Sequence, residues 1–229
     1  MSYEMDGVRH IGNIAQQPTG RLSKQTFTTK VMPAFGLGLL MTAAGAYLGL
    51  QMPRELFLPA IVVELLLVFT SGLWQRKEGL NQVLFFIYAL CSGVTLVPLL
   101  MWASLSAGVG VIIQALLVTT VTFAGCAAYG LTTKRDLSGM GGFLMMACLG
   151  LIVAGIVGFF FHSSVMTMVL TVAGVGLFSA FTVYDMARIR NDYLDADWMG
   201  AALALYIDFI GLFTYILRFF GLTGSSRDD

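Results

Sequence analysis

The 229-residue sequence predicts an all-α membrane protein with seven transmembrane helices packed in one bundle. Hydrophobic residues make up 57% of the chain and charged residues only 11%, against roughly 25% charged residues in soluble domains. Its apolar runs are each long enough to cross a hydrocarbon core of about 30 Å. The formal net charge is zero, which argues against a nucleic-acid partner.

Polar and apolar residues divide the chain into three parts. Residues 1–30 form a polar lead that we expect to be flexible and cytoplasmic, because it contains no apolar segment. Residues 31–222 form the seven-helix domain, and residues 223–229 form a short polar tail. The expected spans cover residues 31–50, 56–74, 80–102, 109–131, 143–161, 165–187 and 199–222.

The first three spans have recognisable packing and boundary residues. Span one carries Gly45 and Gly49 at a four-residue spacing that permits close helix contact. Span two is apolar except for Glu64 near its centre and ends in Gln75, Arg76, Lys77 and Glu78. Span three contains Pro98, where we expect a kink.

The last four spans are bounded in the same way. A Ser/Ala/Gly link at 103–108 leads into span four, which ends at the charged, turn-forming segment 132–142. Span five carries small residues on one face, and His162 with two serines turns the chain into span six. Three aspartates in the link at 192–197 precede span seven.

The distribution of lysine and arginine predicts that the N-terminus is cytoplasmic. Four basic residues lie in the lead and two lie in each of three loops, those after spans two, four and six. Ten of the 13 basic residues therefore lie on one side, which is a strong positive-inside signal. Seven complete spans would leave the C-terminus outside, whereas a re-entrant hairpin at the last segment would return it to the inside.

Asp208 lies near the middle of the apolar segment 201–221. At helical spacing it shares a face with small and polar residues, namely Ala201, Ala204, Gly211 and Tyr215. An acid within the membrane must face protein or water, so we expect this helix to be buried among the others. Asp208 is then a functional acid or a structural one that hydrogen-bonds to a neighbouring helix.

Asp185 lies near the end of span six, on the helix that precedes Asp208. If the two carboxyl groups approach each other, both cannot stay ionised cheaply, so they should share a proton. Arg76 is then the nearest expected counter-charge for Asp185, unless it is simply a charge that ends span two. From the expected helix ends, Asp208 lies about 13 Å inside span seven, and Asp185 lies about 4 Å inside span six. The two carboxyl groups can therefore meet only if span six continues into the cytoplasm, or if span seven starts late or is tilted.

Four segments resemble the Bax-inhibitor family, also called the transmembrane BAX inhibitor motif family. They are FTVYDMARI at 181–189, LYIDFIGLFTYILRFFG at 205–221, YGLTTKRDLSGMGG at 129–142 and VELLLVFTSGLWQRK at 63–77. The resemblance implies seven helices, with the last one central and wrapped by the other six. It also implies a multi-pass protein of the bacterial cytoplasmic (inner) membrane.

The same resemblance implies roles for particular residues. Asp185 and Asp208 match the family's paired aspartates, which sense protons, and we expect transient cation contact there. Arg76 resembles the basic latch on span two, and Glu64 resembles an acid that lines the ion path. No cofactor is implied; calcium would be the transported ion.

The leading hypothesis from these observations is a pH-gated calcium leak channel, not an enzyme. Calcium prefers oxygen ligands, and three acids are too few for a tight cage, which favours passage over storage. The alternative is a non-conducting regulator that binds another membrane protein, such as an ATP-dependent protease. A remote alternative is an intramembrane aspartyl protease, although Leu205, Tyr206 and Ile207 stand where that chemistry has Gly-x-Gly.

Overall fold

The computed structural model describes residues 21–161 and 164–225, and the folded part of this range is helical. The first helix, α1, contains a π-helical turn at Phe27–Val31. The helices are α1 Lys24–Gly49, α2 Phe57–Phe69, α3 Ser71–Trp74, α4 Leu80–Ala107, α5 Gly110–Thr132, α6 Met140–Phe161, α7 Ser164–Asn191 and α8 Trp198–Ser225.

Six of these helices, α1 and α4 to α8, are long and apolar enough to cross a membrane. The expected second span is instead broken at Thr70 into α2 and α3, and α2 alone is only about 20 Å long. The Thr70 hydroxyl donates to the Leu66 carbonyl (2.6 Å), and the Trp74 indole donates to the Leu67 carbonyl (3.0 Å). Side chains thus satisfy backbone oxygens at the break, and a count of seven long helices is not confirmed.

Helices α1 and α4 run parallel and pack closely through glycine. A Cβ at Gly45 would overlap the backbone of Leu90, and a Cβ at Gly93 would overlap the backbone of Thr42. The predicted close contact at Gly45 is therefore confirmed. Because α1 and α4 point the same way, the chain between them returns across the bundle through residues 57–74.

The last helix, α8, is the centre of the bundle, as expected. Two thirds of an apolar 18-residue stretch of α8 is buried (67%), compared with 6% of the corresponding stretch of α6. It packs against α1, α4, α5 and α7. Its largest inward side chains, including Tyr206 and Leu212, are fully enclosed.

Helix α1 begins at Lys24, seven residues before the expected start at 31. The Ser23 side chain caps it by accepting from the Thr26 amide (3.1 Å). The Leu22 amide also donates to the Tyr193 carbonyl (2.7 Å) in the link before α8. Residues 21–30 are thus folded against the bundle, whereas the expectations for 1–20 and for 226–229 fall outside the described residues.

Candidate functional site

Asp208 is buried in the first half of the central helix. It is 2% exposed, and its Oδ2 atom has no hydrogen-bond partner among the described residues. An ionised carboxylate that is buried without a partner costs several kcal/mol. Such a group needs a proton or a cation, which makes it the first candidate for function.

Asp185 on α7 is the acid that acts electrostatically on Asp208. Helix α7 continues to Asn191, four residues beyond the predicted end, so Asp185 lies about 9 Å inside the helix instead of about 4 Å. Asp208 lies about 15 Å inside α8. The longer α7 is one of the arrangements that the sequence required for an approach of the two carboxyl groups.

Where α7 and α8 pack together, each helix places an aromatic ring against a glycine of the other. The Phe178 ring of α7 occupies the space beside Gly211, and the Tyr215 ring of α8 occupies the space beside Gly174. The two rings stack with centroids 5.7 Å apart. The small face predicted around Asp208 is therefore the face that packs on α7, and it sets the spacing between the two acids.

The cation beside Asp185 is Arg188, one turn later on the same helix. Its guanidinium lies 5.4 Å from the centroid of the Tyr193 ring. Arg76 instead forms an ion pair with Asp197, with 2.9 Å between Nε and Oδ1, and its side chain is 72% exposed. The expected Arg76–Asp185 pairing is thus not seen in this structure.

A cavity of about 160 Å³ lies beside Arg76 and Arg188. It is lined by Gln75, Arg76, Arg188, Asp192, Tyr193, Asp197 and Gly200. Burial is the main cause that raises the pKa of Tyr193 to about 12, so this phenol stays neutral at physiological pH. The cavity therefore presents fixed charges of both signs at the end of the bundle nearest Asp185.

Glu64 lies in a second polar site, between α2 and α4. The Thr95 hydroxyl donates to Glu64 Oε2 (2.7 Å). Thr95 also lines a cavity of about 380 Å³, together with Pro98, Leu99, Trp102, Thr167, Arg218 and Leu222. This cavity runs from Thr95 toward the end of the bundle opposite Asp185.

Tyr206 connects the Glu64 site to the central helix. Its hydroxyl lies 2.5 Å from the Thr42 hydroxyl, and it interacts electrostatically with Glu64. Tyr206 precedes Asp208 by two residues, so the two side chains leave α8 on nearly opposite faces. The structure therefore places Glu64 and Asp208 on different sides of α8 and not on one face.

Three residues of these sites were not singled out from the sequence: Arg188, Tyr206 and Thr95. Arg188 follows Asp185 at an i, i+3 spacing, which is a signal that the sequence contained. Tyr206 and Thr95 have no such local signal, because their partners are distant in the chain. Within 21–161 and 164–225, no group of three or more His, Cys, Asp or Glu could hold a metal ion.

Comparison with known proteins identifies the family. Residues 24–225 match the family model described as "Inhibitor of apoptosis-promoting Bax1". The inner membrane protein YbhL of Escherichia coli K12 is 31% identical over 222 residues, which cover 88% of this chain and 93% of YbhL.

Two uncharacterized proteins show the same relationship. One from Helicobacter pylori J99 is 35% identical over 210 residues, covering 89% of both chains. Protein Cj0236c of Campylobacter jejuni is 34% identical over 200 residues, covering 84% of this chain and 86% of its own. The region that the family model matches, residues 24–225, begins and ends with the helical bundle and includes both acid sites. The chain is a multi-pass integral membrane protein and belongs to the Bax inhibitor family.

Proposed function

We propose that this protein is a pH-gated cation leak channel of the bacterial inner membrane, and that calcium is the ion that passes. The single observation that carries the proposal is the buried Asp208 carboxyl group, which lacks a hydrogen-bond partner for Oδ2 and lies within electrostatic reach of Asp185. Such a site is costly for a purely structural role, because a hydroxyl or amide partner would satisfy the carboxylate better.

Proton exchange at the pair supplies the gate. With one shared proton, the two carboxyl groups do not repel and can hydrogen-bond, which keeps α7 and α8 together. With both groups ionised, they repel each other and attract a cation, because like charges interact strongly in poorly hydrated surroundings. Flux should therefore rise as the pH rises.

The two cavities support a route across the bundle. One opens beside Thr95, the hydrogen-bond partner of Glu64, and the other opens beside Arg188 and Arg76. Acids supply the oxygen ligands that calcium prefers, and their small number suits transient contact. We propose transport without catalysis, with Asp185 and Asp208 as the gate and Glu64 on the ion path. Arg76 acts in this scheme through its ion pair with Asp197.

The topology that accompanies this function has a cytoplasmic N-terminus and seven crossings, with α2 and α3 together forming the second. The parallel packing of α1 and α4 supports a crossing there, and the basic residues of the loops support the orientation. The C-terminus then lies on the outer side.

Calcium flux into proteoliposomes tests the function. We expect D208N to fold and to lose most of the pH-dependent flux, because an amide neither exchanges a proton nor attracts a cation. D136N is the matched control, since Asp136 is exposed, and its pKa is lowered mainly by the hydrogen bond from the Ser138 amide. An unchanged flux and pH response in D208N would remove Asp208 from the mechanism.

A further inference from the structure

One cavity in the described part of the chain belongs to neither acid site. It has a volume of about 530 Å³ and lies where α1, α4 and α8 begin. Lys30, Glu78 and Gln82 line it at the helix starts, and Leu37 and Phe86 line it farther along α1 and α4.

The lining changes from polar to apolar along the direction of the helices. Helices α1 and α4 run parallel, and the Gly38 backbone of α1 packs against the Phe85 ring of α4. Polar lining residues therefore lie at the end of the bundle, and apolar ones lie toward the bilayer centre. A glycerophospholipid has the same order, with a polar headgroup followed by acyl chains.

The charges at the polar end are of both signs. The Lys30 ammonium lies 5.8 Å from the centroid of the Trp198 ring, which holds it at the start of α8. Glu78 lines the same cavity, and no ion pair between these two residues is present in the described structure. Helix α4 begins here at Leu80, but amides of its first turn are already bonded: the Asn81 amide donates to the Lys77 carbonyl (2.9 Å) and the Gln82 amide donates to Asn81 Oδ1 (2.8 Å). Lys30 is therefore the group at this end that can receive an anion.

We propose that this cavity binds one membrane phospholipid whose headgroup carries both a phosphate and a primary amine, as in phosphatidylethanolamine. The phosphate contacts Lys30, the ammonium contacts Glu78, and an acyl chain follows Leu37 and Phe86. Charge complementarity favours a zwitterionic headgroup, because a purely anionic lipid would leave Glu78 facing like charge. A primary ammonium can also donate hydrogen bonds to the Glu78 carboxylate, whereas a quaternary ammonium has no hydrogen to donate. The lipid would join α1, α4 and α8 independently of any ion flux.

Native mass spectrometry of the full chain tests this site. The protein is released from nanodiscs that contain equal amounts of phosphatidylethanolamine, phosphatidylglycerol and phosphatidylcholine. We expect one retained phosphatidylethanolamine, and about tenfold weaker retention in K30Q and in E78Q, the effect of losing one charge-assisted contact. K24Q and E55Q are matched controls, because neither residue lines the cavity.

L37W keeps both charges but fills the apolar part of the cavity, so it should also release the lipid. This variant keeps the test valid if a charge variant fails to fold. Preferential retention of phosphatidylglycerol would overturn the headgroup assignment. Equal retention of phosphatidylcholine would overturn the contact between Glu78 and a primary amine. Retention of all three lipids without preference, or of none, would overturn the site.

Discussion

Gly211 provides the most quantitative test of the packing that holds the acid pair together. A Cβ at Gly211 would overlap the Phe178 ring, which is already stacked on Tyr215. Carbon atoms pack best at about 3.5–4.0 Å, so G211A must displace the ring or the helix by on the order of 1 Å. The expected cost of such overpacking is about 1–3 kcal/mol.

Helix propensity works in the opposite direction and must be subtracted. Alanine is favoured over glycine inside a helix by about 1 kcal/mol, so G211A alone should be destabilised by only about 0–2 kcal/mol. Gly176 is the matched control, because it lies on α7 with open space where a Cβ would be. The difference between G211A and G176A removes the propensity contribution and should be about 1–3 kcal/mol.

Thermal unfolding in detergent measures this difference. With about 2–4 °C per kcal/mol for a chain of this size, G211A should unfold roughly 2–12 °C below G176A. Adding F178L to G211A should recover part of the loss, because the smaller side chain makes room for the methyl group. Equal midpoints for G211A and G176A would refute the close approach of α7 and α8 beside Asp208.

Three further changes test other parts of the structure. R190Q should lower stability by about 1–2 kcal/mol in chemical unfolding, because Arg190 donates to the Leu131 and Thr133 carbonyls at the end of α5; wild-type stability would contradict that contact. Y206F should cost about 1–3 kcal/mol in the same assay by leaving the buried Thr42 hydroxyl without this partner, and a neutral result would refute the bond. Histidine is the side chain that ordinarily titrates near neutral pH, so it is the alternative pH sensor. The double variant H10Q/H162Q should nevertheless keep the wild-type pH dependence of calcium flux, because the account assigns sensing to the aspartates. A flux that no longer depends on pH would assign the response to histidine.

The sequence predicted an all-α bundle with the last helix at its centre, whereas its count of seven long spans is not confirmed, because six such helices are present among the described residues. Apolar length fixes which segments can cross a bilayer, and the small face around Asp208 indicated the central helix correctly. The break at Thr70 was not predicted in this way, because Glu64 is the only charged residue in 56–74 and the polar or small residues Thr70, Ser71 and Gly72 do not by themselves end an apolar span. The break depends on side-chain bonds from Thr70 and Trp74 to backbone oxygens, which hydropathy does not contain.

For the candidate site too, the sequence predicted features that depend on neighbouring residues and missed those that depend on residues far apart in the chain. Asp185 and Asp208 were found from their place in apolar helices, which is a local property. The partner of Arg76 could not be found, because Asp197 lies 121 residues away and the pairing depends on how the loop after α3 meets the link before α8. The early start of α1 likewise depends on a distant contact, the bond between the Ser23 amide and Asp195 Oδ1 (2.8 Å).

The most direct test of the central claim is a double-mutant cycle of calcium flux measured from about pH 6 to about pH 8. Wild-type flux should rise with pH, whereas D185N, D208N and D185N/D208N should each be nearly independent of pH. The double variant should show no larger change than the stronger single variant, because the two acids act through one shared proton. A double variant that keeps the wild-type pH profile would contradict the account.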